Sequence, residues 1–144
     1  MAVGGPNERS DFHYQPTEEL FYQAKGHMHL RIVDEGKFRT IEIKEGEYFL
    51  LPANTLHSPK RFADTIGLVL ERTRERDQVH WFCPNLKAHD DKPFMIYCDE
   101  FLTKDLFEHL PKLLKHWASS EELRLCRDCG YQAAPLESPE CPLV

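Results

Sequence analysis

Three residues in the first half of the chain could together bind a divalent metal ion. His13 and Glu19 lie close together in the sequence, and His57 follows in a second short segment that begins at Gly46. Two imidazoles and one carboxylate form the ligand set of a non-haem Fe(II) oxygenase site, which keeps coordination positions open for a substrate and O2. These residue types therefore predict an Fe2+ site at His13, Glu19 and His57.

Alternating apolar and polar residues predict the strands that would carry these ligands. Runs of this kind occupy residues 28–33, 38–43, 48–51 and 66–71, and turn residues at 34–36 and 44–47 separate the first three. Residues 76–100 are predicted to form a long loop with one strand. Apolar residues at helical spacing predict a helix over 104–118. The proline-rich tail after Gly130 is predicted to be loose.

Short strands with regularly spaced turns favour a sandwich or jelly roll. We therefore predict a mostly β fold with a C-terminal helical extension. The core that carries the iron site would span residues 1–80. The extension would span residues 81–144 and pack on the same domain.

The composition of the chain argues against several classes of protein. A hydrophobic content of 41% and a charged content of 29% fit a globular chain, and a net charge of −6 argues against a nucleic-acid partner. No apolar run approaches the roughly 20 residues that a membrane span needs. No signal peptide is recognisable, so the five cysteines are expected to be reduced and the protein to be cytoplasmic.

The segments around the metal ligands resemble the two paired motifs of the cupin superfamily, which implies a double-stranded β-helix of the jelly-roll type. Neighbouring residues are more specific, and they resemble the 3-hydroxyanthranilate 3,4-dioxygenase family. The matching stretches are GGPNERSDFH at 4–13, TEELFYQ at 17–23, FLLPANTLHSPKRFA at 49–63 and GLVLER at 67–72. The resemblance runs from residue 4 to residue 76 and resumes over 97–130.

The cupin spacing also decides between two adjacent glutamates. Glu18 and Glu19 would point to opposite faces of a strand. Six residues separate Glu19 from Gly26, as the motif requires, so Glu19 is the predicted ligand. Asp11 stands where many cupins have another histidine, and it could hydrogen-bond a ligand or the substrate. Three other histidines, each taken alone, are interpreted as ordinary surface or core residues: His27, His29 and His80.

The resemblance implies an extradiol-type opening of an aromatic ring. The cofactor would be Fe2+, and the small-molecule partners would be 3-hydroxyanthranilate and O2. Both oxygen atoms would enter the product, 2-amino-3-carboxymuconate semialdehyde. This product closes to quinolinate and leads to NAD biosynthesis in the kynurenine pathway. The family also suggests a homodimer.

The resemblance also assigns substrate contacts by motif position. Arg9 and Arg61 would hold the substrate carboxylate, which agrees with the bidentate fit of a guanidinium to a carboxylate. Glu71 would accept a hydrogen bond from the hydroxyl or amine, and Glu19 would also lie beside the substrate. Arg61 and Glu71 could instead be plain surface charges. A solvated basic edge is the interpretation of Arg72, Arg74 and Arg76.

The sequence leaves two alternatives open. Another metal-dependent cupin, such as a sugar-phosphate isomerase-like enzyme with Zn or Mn, would use Arg9 and Arg61 to bind phosphate. The other alternative is a truncated, inactive form, because family members usually carry several dozen residues before the segment that begins at Gly4. We expect this short form to bind iron weakly, to associate through an unpaired sheet edge, and to turn over more slowly than a longer one.

Cysteines in the second half of the chain could form another metal site. Cys126 and Cys129 have the Cys-x2-Cys spacing of a structural metal knuckle. Many microbial members of the family have a second such pair, but here Cys83 lacks its partner thiol. His89 or Cys98 could supply the missing ligand, and ordinary free thiols are the other interpretation.

Overall fold

The computed structural model describes the backbone of residues 1–144 and every side chain except that of Asp105. The strands are β1 (Ala2–Gly4), β2 (Phe12–Tyr14), β3 (Glu19–Lys25), β4 (Met28–Asp34), β5 (Lys37–Ile43), β6 (Tyr48–Leu51), β7 (His57–Arg61), β8 (Ile66–Glu71), β9 (Arg76–Phe82) and β10 (Met95–Leu102). The α-helix is α1 (Leu106–Ser119), and short 3-10 helices occupy Leu86–His89 and Thr103–Asp105.

The strands form two antiparallel sheets that enclose the core. The smaller sheet has the order β1-β8-β3-β6, and the larger sheet has the order β10-β9-β2-β7-β4-β5. In β4, Met28, Leu30 and Ile32 are buried and alternate with partly exposed residues. They pack against Phe21 and Val69 of the smaller sheet. The prediction of a mostly β, jelly-roll sandwich with a C-terminal helix is confirmed.

The strands predicted over 28–33, 38–43, 48–51 and 66–71 are confirmed as β4, β5, β6 and β8, within one residue at either end. The prediction of a single strand in residues 76–100 is wrong. This segment contains β9 and β10, which pair with each other in the larger sheet. Asp77, Val79 and Trp81 are buried residues of β9. Because Asp77 is charged, the alternation of apolar and polar residues that predicts a strand was not visible there.

The predicted division at residue 80 lies inside β9, which is hydrogen-bonded to β2 on one side and to β10 on the other. The larger sheet therefore continues across this position. α1 packs on the same end of the sheet, where Trp117 stacks on Trp81 with ring centroids 4.8 Å apart. Val79 and Phe101 complete this cluster. The helix predicted over 104–118 is confirmed, with its first turn beginning at Leu106.

The C-terminal tail is bound to the rest of the fold, so the prediction of a loose tail is wrong. The backbone N–H of Thr40 donates to the carbonyl oxygen of Pro142 at 2.7 Å. Trp117 Nε1 and the hydroxyl of Ser10 both donate to the carbonyl oxygen of Pro135, at 3.1 and 3.0 Å. Proline has no N–H to donate, but its carbonyl is an ordinary acceptor. The prolines of the tail therefore take part in its attachment.

The outer face of the smaller sheet exposes large apolar side chains, namely Tyr48, Leu50, Ile66, Leu68 and Leu70. An apolar patch of this kind often marks a contact surface. Within the described residues, none of the helices has the length and apolar character that a membrane crossing requires.

Candidate active site

A cavity of about 250 Å³ lies at one end of the sandwich, next to α1. All the residues that the sequence predicted for the iron and substrate sites line it: Arg9, His13, Glu19, His57, Arg61 and Glu71. Apolar residues of both sheets and of the first turns of α1 complete its wall. Four other cavities are larger, about 500, 870, 330 and 290 Å³, but none of them has a histidine among its described lining residues.

Strand register brings the polar residues of the cavity together in two pairs. His13 of β2 lies directly opposite His57 of β7 in the larger sheet, with ring centroids 5.4 Å apart. Glu19 of β3 lies directly opposite Glu71 of β8 in the smaller sheet. Because like charges that face each other across strands repel, the two carboxylates need positive groups beside them.

Glu19 and His57 have the geometry of two metal ligands. Glu19 is 6% exposed, and its Oε2 lies 2.9 Å from Nε2 of His57, yet this oxygen has no hydrogen-bond partner among the described groups. His57 Nδ1 lies 3.0 Å from the carbonyl oxygen of Thr55. Since a carbonyl can only accept, Nδ1 donates to it, and Nε2 is the ring nitrogen that faces Glu19 and could bind a cation. Two donors of electron pairs that face each other in this way fit a divalent cation.

A row of polar and charged groups runs from His13 to Glu71. His13 Nε2 lies 2.8 Å from Oδ2 of Asp77. Arg74 contacts both carboxylate oxygens of Asp77 at 2.5 Å, and its NH2 group lies 2.8 Å from Oε2 of Glu71. Burial alone would raise the pKa of Asp77, but hydrogen bonds with His13 and Arg74 lower it, so the carboxylate stays ionised.

The sequence analysis missed this row of groups. The interpretation of Arg74 as part of a solvated basic edge is wrong, because its side chain is only 7% exposed. Arg72 and Arg76 are exposed, as that interpretation requires. One feature of the sequence could have indicated that Arg74 is buried. Asp77 stands three residues after Arg74, at a position of β9 whose side chain points into the fold.

The three predicted metal ligands share the cavity but do not form a closed set. Among the described side chains, the donor atoms of His13, Glu19 and His57 do not all lie within 4.8 Å of one another. The reason is that Nε2 of His13 faces Asp77, whereas Glu19 and His57 face each other. Glu18 is exposed on the opposite face of the chain from the buried Glu19.

Asp11 holds Arg9 in the cavity. The Nε of Arg9 donates to one carboxylate oxygen at 3.0 Å, and its NH2 group donates to the other. Asp11 is fully buried, which raises its pKa, but the guanidinium of Arg9 outweighs this effect and the pKa is lowered. Asp11 therefore orients Arg9, whereas we expected it to bond a metal ligand or the substrate. With two of five N–H donors used, three donors of Arg9 remain for other partners.

Arg61 is a buried cation with an unsatisfied donor. It is 8% exposed, and its Nε has no hydrogen-bond partner among the described groups. Burial and the charge of Arg9 both lower its pKa. Asn7 fixes the backbone here, because its side-chain oxygen accepts from the N–H of Arg61 at 2.5 Å and its amide donates to the carbonyl of Pro59 at 2.8 Å. A buried guanidinium of this kind is costly without a counter-ion, so the cavity suits an anionic ligand.

Comparison with known proteins identifies the family of this chain. Residues 1–118 match the family model described as 3-hydroxyanthranilic acid dioxygenase. The chain belongs to the 3-hydroxyanthranilic acid dioxygenase family. It is 51% identical over 143 residues to the 3-hydroxyanthranilate 3,4-dioxygenase of Mycosarcoma maydis, covering 96% of this chain and 79% of the relative. The enzyme of the same name from Neurospora crassa is 45% identical over 136 residues, covering 92% of this chain and 72% of the relative.

Solved structures are more distant from this member of the 3-hydroxyanthranilic acid dioxygenase family. The oxalate decarboxylase of Lactobacillus farciminis, in a formate complex, has a TM-score of 0.42 and 17% sequence identity. The match covers 94% of this chain and 36% of that one. A likeness at this level bears on neither substrate nor metal.

Four side chains outside the cavity form a second candidate metal centre in this dioxygenase-family chain. Cys83, His89, Cys126 and Cys129 place their donor atoms within 4.8 Å of one another. The sulfur atoms of Cys83 and Cys129 are 3.7 Å apart, and Cys126 Sγ lies 3.6 Å from Nε2 of His89. A tetrahedral zinc ion with Zn–S bonds of about 2.3 Å would hold its sulfur ligands about 3.8 Å apart. The spacing therefore fits a tetrahedral metal site.

His89, and not Cys98, completes this group. Nδ1 of His89 lies 3.3 Å from a carboxylate oxygen of Asp128, which leaves Nε2 to face the thiols. Phe94 stacks on the imidazole with ring centroids 4.3 Å apart. Cys98 lies in β10, where its sulfur is 3.9 Å from the side-chain oxygen of Gln78.

Replacing Asp77 with Asn is expected to destabilise the protein strongly. The change removes one of the two carboxylates that the buried guanidinium of Arg74 contacts and leaves only Glu71, and breaking a buried pair costs up to roughly 3–5 kcal/mol. Glu100→Gln is the matched control, because it breaks an exposed pair with Arg76 and should therefore cost much less than Asp77→Asn. Urea unfolding followed by circular dichroism measures both changes. A larger loss for Glu100→Gln would contradict the assignment.

The same pair predicts how stability depends on pH. The pKa of Asp77 is lowered in the folded state. Its contribution is therefore fully present above the unfolded value of about 3.9, and it is lost as the pH falls through the folded value. Asp77→Asn should show a shallower loss of stability in acid than the wild type.

Proposed function

We propose that this chain is an Fe(II)-dependent, extradiol-type dioxygenase that opens the ring of 3-hydroxyanthranilate with O2. The observation that carries the proposal is the cavity, where two histidines and a glutamate lie beside a buried arginine with a free donor. The first three residues suit Fe2+, and the arginine suits an aromatic acid. Membership of the family supports the choice of reaction.

His13, Glu19 and His57 would hold the Fe2+ ion. When bound, the ion supplies the redox chemistry for O2 and an anchor for the hydroxyl and amino groups of the substrate. Glu19 adds the negative charge that helps to hold a divalent ion. The carbonyl of Thr55 fixes the tautomer of His57, and Asp77 fixes the ring of His13.

Arg61 and Arg9 would bind the substrate carboxylate. Arg61 has a buried donor without a partner, and Arg9 is held in place by Asp11 with donors to spare. A carboxylate between the two guanidiniums would relieve the repulsion between them and replace the water lost on burial. The cavity volume of about 250 Å³ lies just below the range of about 300–1,000 Å³ typical of ligand pockets. It therefore suits a single aromatic ring.

Glu71 would accept a proton from the substrate. It lies opposite Glu19 in the sheet, and Arg74 holds its carboxylate at the edge of the cavity. Removing the hydroxyl proton makes the ring richer in electrons and easier to oxidise, so a carboxylate in this position is a suitable general base. Leu106 and Leu110 of α1 form an apolar wall that would limit the entry of water.

The reaction would break the bond between the hydroxyl-bearing carbon and its unsubstituted neighbour. Both atoms of O2 would enter the product, 2-amino-3-carboxymuconate semialdehyde, which closes to quinolinate and feeds NAD biosynthesis. We also propose a cytoplasmic homodimer. The five free cysteines support a reducing compartment, and the exposed apolar face of the smaller sheet supports contact between two copies.

The second metal centre would hold a structural Zn2+ ion. Three thiolates and one imidazole in a closed tetrahedral set are typical of structural zinc. Burial raises the pKa of the Cys83 thiol to about 12, so zinc binding must displace its proton. The ion would tie the 3-10 helix that contains His89 to the loop that contains Cys126 and Cys129.

Replacing His57 with Ala should abolish iron binding and ring opening, because it removes one of three ligands. Glu19→Ala should do the same, whereas Glu18→Ala should keep both properties, since Glu18 is exposed on the other face. Iron per chain is measured after anaerobic loading with Fe2+, and turnover is measured by adding 3-hydroxyanthranilate and O2. Loss of iron from Glu18→Ala and its retention by Glu19→Ala would show that the other glutamate is the ligand.

Replacing Arg61 with Lys should weaken substrate binding with little effect on iron content. A charge-assisted bond of this kind is worth roughly 1.5–3 kcal/mol, so KM should rise about ten- to a hundredfold. Lysine keeps the charge but cannot present two parallel donors. Arg72→Lys is the matched control, because that side chain is 74% exposed and outside the cavity. Wild-type kinetics for Arg61→Lys would rule out the carboxylate contact.

Removing zinc should lower the melting temperature, and Cys126→Ser should lower both the zinc content and the melting temperature. Cys98→Ser is the control, because Cys98 lies outside the group. Because zinc must displace thiol protons, its affinity should fall as the pH is lowered. Elemental analysis and thermal unfolding with and without a chelator measure these effects. A chain that purifies without zinc, and whose melting temperature does not change when zinc is added, would refute the site.

A further inference from the structure

A third group of possible metal ligands lies outside both candidate centres. Gly26 has a left-handed φ of +68° and turns the chain into β4, next to His27. His29 follows His27 by two residues, so the two side chains project from the same face of the chain. Glu42 of β5 is the direct antiparallel partner of His29. The turn and the pairing of β4 with β5 therefore place two imidazoles and one carboxylate side by side.

These residues lie on the outer face of the larger sheet. Met28 and Leu30, which flank His29, are 1% and 0% exposed and face the core between the sheets. Since neighbours in a strand point to opposite faces, His29 faces outward. The sheet itself therefore separates this group from the cavity that contains His13 and His57.

The geometry of the group is suited to a small cation. One donor atom from each of His27, His29 and Glu42 lies within 4.8 Å of the other two. Phe62 packs against both imidazoles, with ring centroids 4.7 Å from His27 and 5.0 Å from His29. This packing restricts both rings, so less side-chain entropy is lost when they bind an ion. His29 is half-buried, whereas His27 and Glu42 are exposed and accessible from solution.

Nearby charges leave the ligands available. Lys44 lies 4.0 Å from Glu42, but both side chains are exposed and such a pair is weak. Lys60 is opposite His29 in the sheet, and its ammonium group lies 5.8 Å from the ring centre of Phe62.

We propose that His27, His29 and Glu42 form a surface site for a divalent transition-metal ion. Two imidazoles and a carboxylate suit Zn2+, Ni2+ and Cu2+, and water would fill the remaining positions. The site would bind a metal whether or not the cavity carries out the proposed ring opening.

Zinc titration by isothermal calorimetry tests this proposal. The full chain is first loaded with Fe2+ without oxygen and with a single equivalent of Zn2+, which the closed cysteine group binds in preference to the open surface site. Gel filtration then removes unbound ions. The wild type should bind one further Zn2+ ion. Because losing even a supporting partner of a ligand costs about 10–100-fold in affinity, His29→Gln should weaken this binding at least about tenfold. His27→Gln and Glu42→Gln should also weaken it.

His116→Gln is the matched control, because it removes an exposed histidine on α1 and should leave zinc binding unchanged. Circular dichroism confirms that each variant is folded. The proposal is overturned if the wild type takes up no further ion, or if His29→Gln binds it as tightly as the wild type. It is also overturned if His116→Gln, and none of the three ligand variants, loses the ion.

Discussion

Repulsion between two carboxylates is the constraint on which the cavity depends. Strand pairing places Glu19 directly opposite Glu71 on the inner side of the smaller sheet. Each therefore needs a positive or metal-binding neighbour from elsewhere in the fold. Glu71 has Arg74, and Glu19 faces His57 of the other sheet. The two sheets are thus linked by electrostatics at this end and by apolar packing elsewhere.

The same constraint extends into β9. Arg74 contacts Asp77 as well as Glu71, and Asp77 in turn contacts His13. Two residues further along β9, Val79 belongs to the apolar cluster that binds α1. One strand therefore carries both the charged support of the cavity and the seat of the helix that covers it. A change in the backbone of β9 would therefore affect both the cavity and the packing of α1, because Asp77 and Val79 lie on the same strand.

Motif spacing and the resemblance to the family selected six polar residues that the fold brings into one cavity. His13, Glu19 and His57 follow from spacing along the chain, and β4 and β5 follow from strict alternation with a short turn. Partnerships between distant segments were not predictable in this way. Asp77 stands three residues after Arg74, but no local pattern indicates that Arg74 would also contact Glu71 and be buried between the two carboxylates. Strand β9 was obscured because a charge occupies one of its inward positions.

The tail and the cysteine group illustrate the same limit. The proline content suggested a loose tail, because prolines lack the N–H groups that hold regular structure together. Their carbonyl oxygens still accept hydrogen bonds, and here they accept from Thr40 and Trp117. The choice between His89 and Cys98 depended on which of them the fold brings beside Cys126. That choice is set by a 3-10 helix and a long loop, neither of which has a periodic signature.

Pro111 makes the two ends of α1 unequal in backbone hydrogen bonding. It stands inside α1 and lines the cavity together with Leu110 and Phe107. Because proline has no N–H, the carbonyl of Phe107 lacks its usual partner one turn later. The first turn of α1 is therefore held by fewer backbone bonds than the last, which Trp117 anchors to the sheet. Displacing that turn would therefore break fewer backbone hydrogen bonds than displacing the last turn, and it is the first turns of α1 that line the cavity.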